Sequence, residues 1–485
     1  MSECFDDRKC SALADEVRAA RATHADIVLL MGPGALLPQF RPLADVSFYW
    51  DATREALGAC HCSSAGATAP AAAPAASDQA EWYRRSLYVD WPMHERHKRS
   101  VLSGIGGVDY YVDSTRAEPR IVSRAALDRL LAAVARQPFR CKPYFQPGVW
   151  GGQRLKEAAG LPDSVANSAW DFEIVAPENS ILLGVEGESD YIDIPFHVIM
   201  WAQAGAILGR QAERDFGDFF PVRINYLDTM GGSDLSTQVH PQDLYIREHF
   251  GETIGQHESY YVVETTPGAK VHLGLKNGVT LEAFAAAIHA AETDAIPFDR
   301  GDFVNSWDAR SGDYFMIPAG TVHCSGKGNL VLEISSTPYW YTFKLYDYLR
   351  PDLNGRPRPI NSAHGLAVLD CSRNETWVRA HLLAEPVQVR SESGGDEYFV
   401  GTNYLVFYAV SRLHVRSEIA DDTRGSVHLL ILARGEQVWV ISEKTGQRIR
   451  VDYLEAFVVP AAVGAYRLVN ETGGEVQVLK VYLKR

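Results

Sequence analysis

From about residue 140 to the C-terminus the chain is a succession of short apolar, aromatic-rich runs broken by Gly, Pro and Asn. SILLGV, SYYVVET, KVHLGL, DYFMIP and LVLEIS are followed by YLVFYAVSRLHV, VHLLILA, QVWVISE and EVQVLKVYL. Short runs rich in β-branched and aromatic side chains, punctuated by turn residues, specify strands; many in series specify a sandwich or a barrel. Two stretches break the pattern, HVIMWAQAGAILGRQAERDFG and TLEAFAAAIHA, and these read as helical insertions. Within the β region, GDYFMIPAGTVHCSGKGNLVLEIS (312–335) and YLEAFVVPAAVGAYRLVNETGGEVQVLKV (453–481) run in parallel. Each reads strand, proline-containing turn, strand, polar turn, strand, which predicts two copies of one sandwich module. The second copy has Gly464, Ala465 and Tyr466 where the first has His323, so it keeps the scaffold and loses a ligand.

The first 135 or so residues have another texture. IVLLM and VSFYW, divided by Gly and Pro, read as strands of a small α/β region. GPGALL lacks the lysine and hydroxyl of a phosphate loop. The Ala/Pro-rich segment at about 61–80 offers little to a packed core and reads as a flexible insertion. His94, Arg96, His97, Lys98 and Arg99 form a basic cluster, read first as a solvated face and second as a contact for a phosphate or an internal partner. SRAALDRLLAAVARQPF reads as a helix with Ser123 as its N-cap. The chain thus divides into 1–135, a 136–365 sandwich with helical insertion, and a 366–485 sandwich.

A net charge of −14 argues against a nucleic-acid partner. No apolar run reaches the roughly 20 residues needed to span a bilayer, and the acidic N-terminal segment is unlike a secretion signal, so a cytoplasmic protein with no membrane partner is expected. Seven cysteines at irregular spacing form no disulfide framework; Cys60 and Cys62 are read as unpaired.

The chemistry is carried by polar residues set into strands. Gln238 and His240 are two apart, so an extended backbone points both to one side. Glu258 stands just before the YYVV run and His323 follows PAGTV. Two imidazoles, a carboxylate and an amide oxygen suit zinc or another divalent first-row ion. The alternative is four ordinary polar residues on a half-buried sheet. His257, beside Glu258, faces the other way.

FRCKPYFQPGVWGGQRLKEAAGL (139–161), FFPVRINYLDTMGGSDLSTQVHPQD (219–243), ESYYVVETTPGAKVHLGLKNG (258–278), PAGTVHCSGKGNLVLEIS (318–335) and YTFKLYDYLRPDLNGRPRP (341–359) resemble, in order, the type I mannose-6-phosphate isomerases of the bacterial short form. The resemblance implies a mostly β fold of two cupin jelly-roll sandwiches with helical insertions, here preceded by the α/β region. It implies a zinc-dependent interconversion of mannose 6-phosphate and fructose 6-phosphate. The family's four metal ligands fall on Gln238, His240, Glu258 and His323, its later acidic residue on Glu333 and its QVH-motif serine on Ser236. Three basic positions depart: Arg223 stands for a lysine, Gln256 for a lysine and Lys344 for an arginine. Arg223 and Lys344 are therefore expected to act with Glu333 in catalysis, and Ser236, Gln256 and Arg350 to bind substrate, with Arg356 and Arg358 as neighbouring cations. Asp234 and Glu173 are lesser candidates, with surface or packing roles favoured. Two further activities stay open: isomerisation of another or unphosphorylated sugar, and metal-bound sugar recognition without turnover. A small sugar or sugar phosphate is the expected partner; oligomeric state is left open.

Overall fold

The computed structural model describes residues 6–23, 27–32, 34–62, 85–103, 107–185, 190–336, 341–351 and 358–484, the side chains of 59–62 and 103 aside. The segment 63–84, most of the Ala/Pro-rich stretch, and Arg356 lie outside the described residues, as do the side chains of Cys60 and Cys62. Contacts divide the chain into two units, Met1–Ala132 with Leu182–Ala202, and Ala133–Ile181 with Gln203–Arg485.

In the first unit the helix Asp7–Ala22 starts where the Asp6 carboxylate accepts the N–H groups of Arg8 and Lys9. Its Cys10 and Ala14 pack on Leu37 and Phe40. Strands β1 (Phe48–Asp51), β2 (Tyr110–Asp113) and β3 (Arg120–Ser123) form a sheet, parallel between β1 and β2 and antiparallel between β2 and β3. VSFYW therefore supplies a strand, whereas IVLLM does not: among the described residues it finds no partner strand, and Ile27, Leu29 and Met31 stay exposed. The basic cluster is also not one solvated face. Lys98 is buried, 2.8 Å from Asp51, which also accepts the Tyr111 hydroxyl at 2.7 Å. A lysine can be buried only with such a partner; Arg96 and Arg99, which have outward positions on the same helix, stay exposed. The helix Arg124–Val134 follows, with the Ser123 hydroxyl accepting the Ala126 N–H.

The strands that follow are β4 (Tyr144–Gln146), β5 (Trp170–Ile174), a ribbon of β6 (Ser180–Gly184) and β7 (Tyr191–Pro195), β8 (Val222–Asp228), β9 (Thr237–Val239), β10 (Glu258–Thr265), β11 (Lys270–Leu275), β12 (Val304–Asp308), β13 (Tyr314–Ile317), β14 (His323–Ser325), β15 (Asn329–Ser336) and β16 (Phe343–Tyr346). Without the ribbon they make two sheets, ordered β13-β10-β15-β8-β5-β4 and β12-β11-β14-β9-β16. The predicted helices are Phe196–Leu208 with Arg210–Phe216, and Leu281–Asp294, whose Phe284 and Ile288 pack with Val239, Phe343 and Leu345.

The second sandwich has β17 (Val387–Glu392), β18 (Gly395–Gly401), β19 (Tyr408–Val415), β20 (Glu418–Asp422), β21 (His428–Arg434), β22 (Gln437–Ser442), β23 (Arg448–Asp452), β24 (Ala456–Val459), β25 (Ala465–Val469) and β26 (Val476–Leu483). Its sheets run β24-β21-β26-β19-β18-β17 and β23-β22-β25-β20. The larger sheet matches its counterpart position for position; the smaller lacks only the edge strand that β16 supplies in the first sandwich. The repeat read from the sequence is thus β13-β14-β15 against β24-β25-β26. Tyr408 of β19 ties the two sandwiches together, donating to the Ile334 carbonyl at 2.8 Å beside the Ser259 hydroxyl at 3.1 Å. Among the described residues no helix is long and apolar enough to cross a membrane.

Candidate metal centre

Register decides which side chains meet. Across β8, β15 and β10, Arg223, Ser335 and Glu258 stand side by side; two residues along, Asn225, Glu333 and Tyr260 do the same. A spacing of two keeps both rows on one face of the sheet. In the facing sheet, Lys344, Gln238 and His323 form a row across β16, β9 and β14. His240 follows Gln238 by two, just past the end of β9.

These rows close on one point. Glu258 places Oε2 2.9 Å from His240 Nε2 and Oε1 2.8 Å from His323 Nε2, with all three residues essentially inaccessible to solvent. His240 Nδ1 lies 3.0 Å from the Tyr341 carbonyl and His323 Nδ1 lies 2.9 Å from the Thr321 carbonyl. A carbonyl can only accept, so in each neutral ring the proton sits on Nδ1 and Nε2 presents a lone pair. Two lone pairs then face two carboxylate oxygens, an arrangement that repels itself unless a proton or a metal cation lies among them. Glu258 Oε1 in fact has no conventional hydrogen-bond donor among the described residues.

The fourth donor fits the same cation. The Gln238 side-chain amide lies 3.3 Å from His323 Nε2, and its other end meets the Ser236 hydroxyl at 3.2 Å. Turned about its axis, the amide offers oxygen to the centre while its NH2 donates to Ser236, so either orientation is satisfied. Burial alone would neutralise Glu258, but the positive charge and hydrogen bonds that the two rings supply when protonated outweigh it and hold the carboxyl well below its ordinary range. Gln256 completes the wall: its NH2 donates to Glu258 Oε2 at 3.2 Å and its oxygen accepts the Tyr341 N–H at 3.2 Å.

Beside the cluster, Glu333 Oε1 accepts from Arg223 Nη2 at 2.9 Å and from the Ser335 hydroxyl at 3.0 Å, and the Arg223 Nε also donates to that hydroxyl at 2.9 Å. Oε2 is less engaged: among the described residues it meets the Asn225 amide alone, at 3.4 Å. Burial and the Glu258 charge raise the Glu333 pKa, and Arg223 pulls it partly back. Lys344 is lowered to about 8, by burial first and by Arg358 second.

The other expected residues are placed elsewhere. Arg350 is clamped on Asp347 at 2.5 Å and donates to the Ser233 hydroxyl and the Asp234 carbonyl; Arg358 shares Asp347 at 3.0 Å. Asp234 binds Arg300 at 2.9 Å and the Lys327 N–H, joining loops. Glu173 accepts the Ala456 N–H of the second sandwich at 2.7 Å, on the far side of the sheet. His257 turns away from the centre, with Nδ1 accepting the Ala319 N–H. Sequence reasoning did not find Asn225, Ser335 and Tyr260, although each stands two residues from a candidate on the same strand. The Tyr341 and Thr321 carbonyls carry no sequence signal, since any residue supplies one.

A family model described as "Domain of unknown function (DUF8485)" matches residues 1–136. The mannose-6-phosphate isomerase ManA of Bacillus subtilis is 29% identical over 235 residues, 48% of this chain and 68% of its own length. The mannose-6-phosphate isomerase of Streptococcus mutans is 28% identical over 261 residues, 53% and 76% of the two chains. The chain is a relative of the mannose-6-phosphate isomerases. The crystal structure of the Bacillus subtilis mannose 6-phosphate isomerase superimposes with a TM-score of 0.57 at 19% identity, covering 72% of this chain and all of that one. That likeness shows a shared fold over 72% of this chain.

Proposed function

We propose that the protein is a metal-dependent aldose–ketose isomerase interconverting mannose 6-phosphate and fructose 6-phosphate. The convergence of His240, Glu258 and His323 on one point, in a chain related to isomerases of that name, is the observation that carries the reading. In this reading the metal is held by those three residues and Gln238, in the sandwich we assign to 136–365. Among the described residues the 366–485 sandwich has no counterpart of the set. The nitrogen and oxygen donors favour zinc. When bound, the ion supplies charge stabilisation to the sugar oxygens.

The protein's own groups account for the rest. Isomerisation moves one proton between C2 and C1 and one between the neighbouring oxygens, through an enediol. A base must lie within hydrogen-bond reach of the C1–C2 edge. Glu333 suits that role, because its pKa is raised, it is fixed by Arg223, Ser335 and Asn225, and its Oε2 is the less engaged oxygen. A raised carboxyl is the stronger base once ionised. Arg223 holds Glu333 in position and balances its charge. Lys344, on the facing sheet, is assigned to the sugar or its phosphate; Ser236 and Gln256 orient the ligands and line the substrate side.

One observation favours a second reading, isomerisation of an unphosphorylated sugar. Arg350 and Arg358 both pair with Asp347, which offsets one of their two charges, and Gln256 contributes none, leaving fewer free cations for a dianion. Purified zinc-loaded protein incubated with mannose 6-phosphate and, separately, with unphosphorylated aldoses decides between them by ketose formation. Turnover of mannose 6-phosphate alone supports the first reading. Turnover of a neutral aldose alone establishes the second, and metal retention without turnover on any aldose overturns both.

A further inference from the structure

Because both sandwiches share one strand order, residues of one map onto the other. Glu258 opens β10 opposite Ile317, the last residue of β13; His428 opens β21 opposite Val459, the last of β24. The next ladder sets Ser335 against Glu258 and Tyr482 against His428, so Glu333 and Lys480 are also equivalent. From the smaller sheet, the paired Asp421 and Tyr466 come to the end where the first sandwich has Gln238 and His323. One end of one fold therefore carries a metal-type donor set in the first copy and a different polar set in the second.

That second set surrounds a cavity of about 710 Å³, within the roughly 300–1,000 Å³ of small-molecule sites. Arg390, Glu397, Asp421, His428, Lys480 and Tyr482 are on its wall. The buried Lys480 ammonium lies 2.9 Å from Glu397 and 2.6 Å from Asp421, and Arg390 Nη2 lies 3.2 Å from Glu397. Arg390 anchors Nη1 on the Ala420 carbonyl at 2.6 Å, while its buried Nε has no hydrogen-bond acceptor among the described residues. His428 Nδ1 meets the Tyr466 hydroxyl at 2.9 Å, and that hydroxyl donates to Asp421. Burial pushes the imidazole down to about 4, so it is a neutral participant.

The order of charges decides what can enter. A free anion would meet Glu397 and Asp421; a free cation would meet Lys480 and Arg390. A wall of alternating acceptors and donors matches neighbouring hydroxyls, each of which both donates and accepts, and Tyr482 adds an apolar ring against which a sugar face can pack. We propose that the C-terminal sandwich holds a second, non-catalytic ligand site for a neutral sugar or polyol, at the end of the barrel equivalent to the metal centre. The site stands independently of the isomerase reading.

Mannitol is the probe, since it is neither aldose nor ketose and cannot turn over. Its binding to full-length protein is followed by ligand-observed NMR, with hydrogen exchange on the segments 387–401 and 418–422. Saturable binding is expected, persisting in His323→Ala and weakened at least tenfold in Arg390→Met and in Glu397→Gln. Loss in His323→Ala with no change in the other two variants would assign the ligand to the metal centre and overturn the proposal. Absence of binding, or displacement of mannitol by inorganic phosphate, would overturn it as well. Should Arg390→Met and Glu397→Gln both unfold, exchange in the His323→Ala chain decides: slowing on those two segments supports the site, and no slowing rejects it.

Discussion

Replacing Arg223 by Met tests the account of the centre most directly. The guanidinium and Glu333 are both buried, with Nη2 2.9 Å from Oε1, and Arg223 also holds the Ser335 hydroxyl. Its removal leaves a carboxylate in a low-dielectric interior beside a second one, Glu258. Breaking a buried pair from one side costs roughly 3–5 kcal/mol, or a fall in Tm on the order of 10 °C at a few degrees per kcal/mol. The sign with pH follows from Glu333. Its folded pKa is raised above the unfolded value, so its favourable contribution is present in acid and lost as pH rises through the two values. Without Arg223 the folded value rises further, so the deficit should be small in acid and widen above the ordinary carboxylate range. Denaturant melts at several pH values measure this, and Glu333→Gln in the same chain should restore more than half of the loss. Equal midpoints for Arg223→Met and the parent, or no rescue by Glu333→Gln, would refute the buried-pair argument.

His323→Ala and His240→Ala should each lower bound metal from about one ion per chain to near zero by elemental analysis; chelation of the parent should lower Tm, by about 2.7 kcal/mol of stability where free metal had stood at 100 times Kd. Lys344 loses its charge as pH rises through about 8, so KM for a phosphorylated substrate should climb there, whereas Lys344→Arg should keep KM flat to higher pH. Tyr408→Phe removes the hydrogen bond to the Ile334 carbonyl between the sandwiches and should destabilise the pair by about 1–2 kcal/mol in calorimetry, with metal content unchanged.

The grouping of polar side chains around Glu258 was legible because strand periodicity is local. Gln238 and His240 share a side by their spacing alone, and His257 was read as turned away from Glu258 for the same reason. The three partners of Glu333 obey that rule too, yet Asn225 and Ser335 were overlooked because hydroxyls and amides are common on strands and only register shows which ones meet. Arg350 exposes the opposite limit. A basic residue near a site reads as a substrate contact, and only the folded loop reveals that Asp347, Ser233 and Asp234 already occupy it. IVLLM failed for a related reason, since a strand needs a neighbour as well as a composition.

By itself the sequence determined the β architecture, its duplication and the residue types gathered around the centre, all properties set by local period and turn chemistry. The tertiary structure alone decided the proton positions on His240 and His323, because the Tyr341 and Thr321 carbonyls that fix them are backbone groups brought in by the fold. It likewise decided that the second copy, which among the described residues has no counterpart of that donor set, has a cavity lined by charged groups: Arg390, Asp421 and Lys480 lie far apart along the chain, and only folding of the sandwich brings them onto one wall.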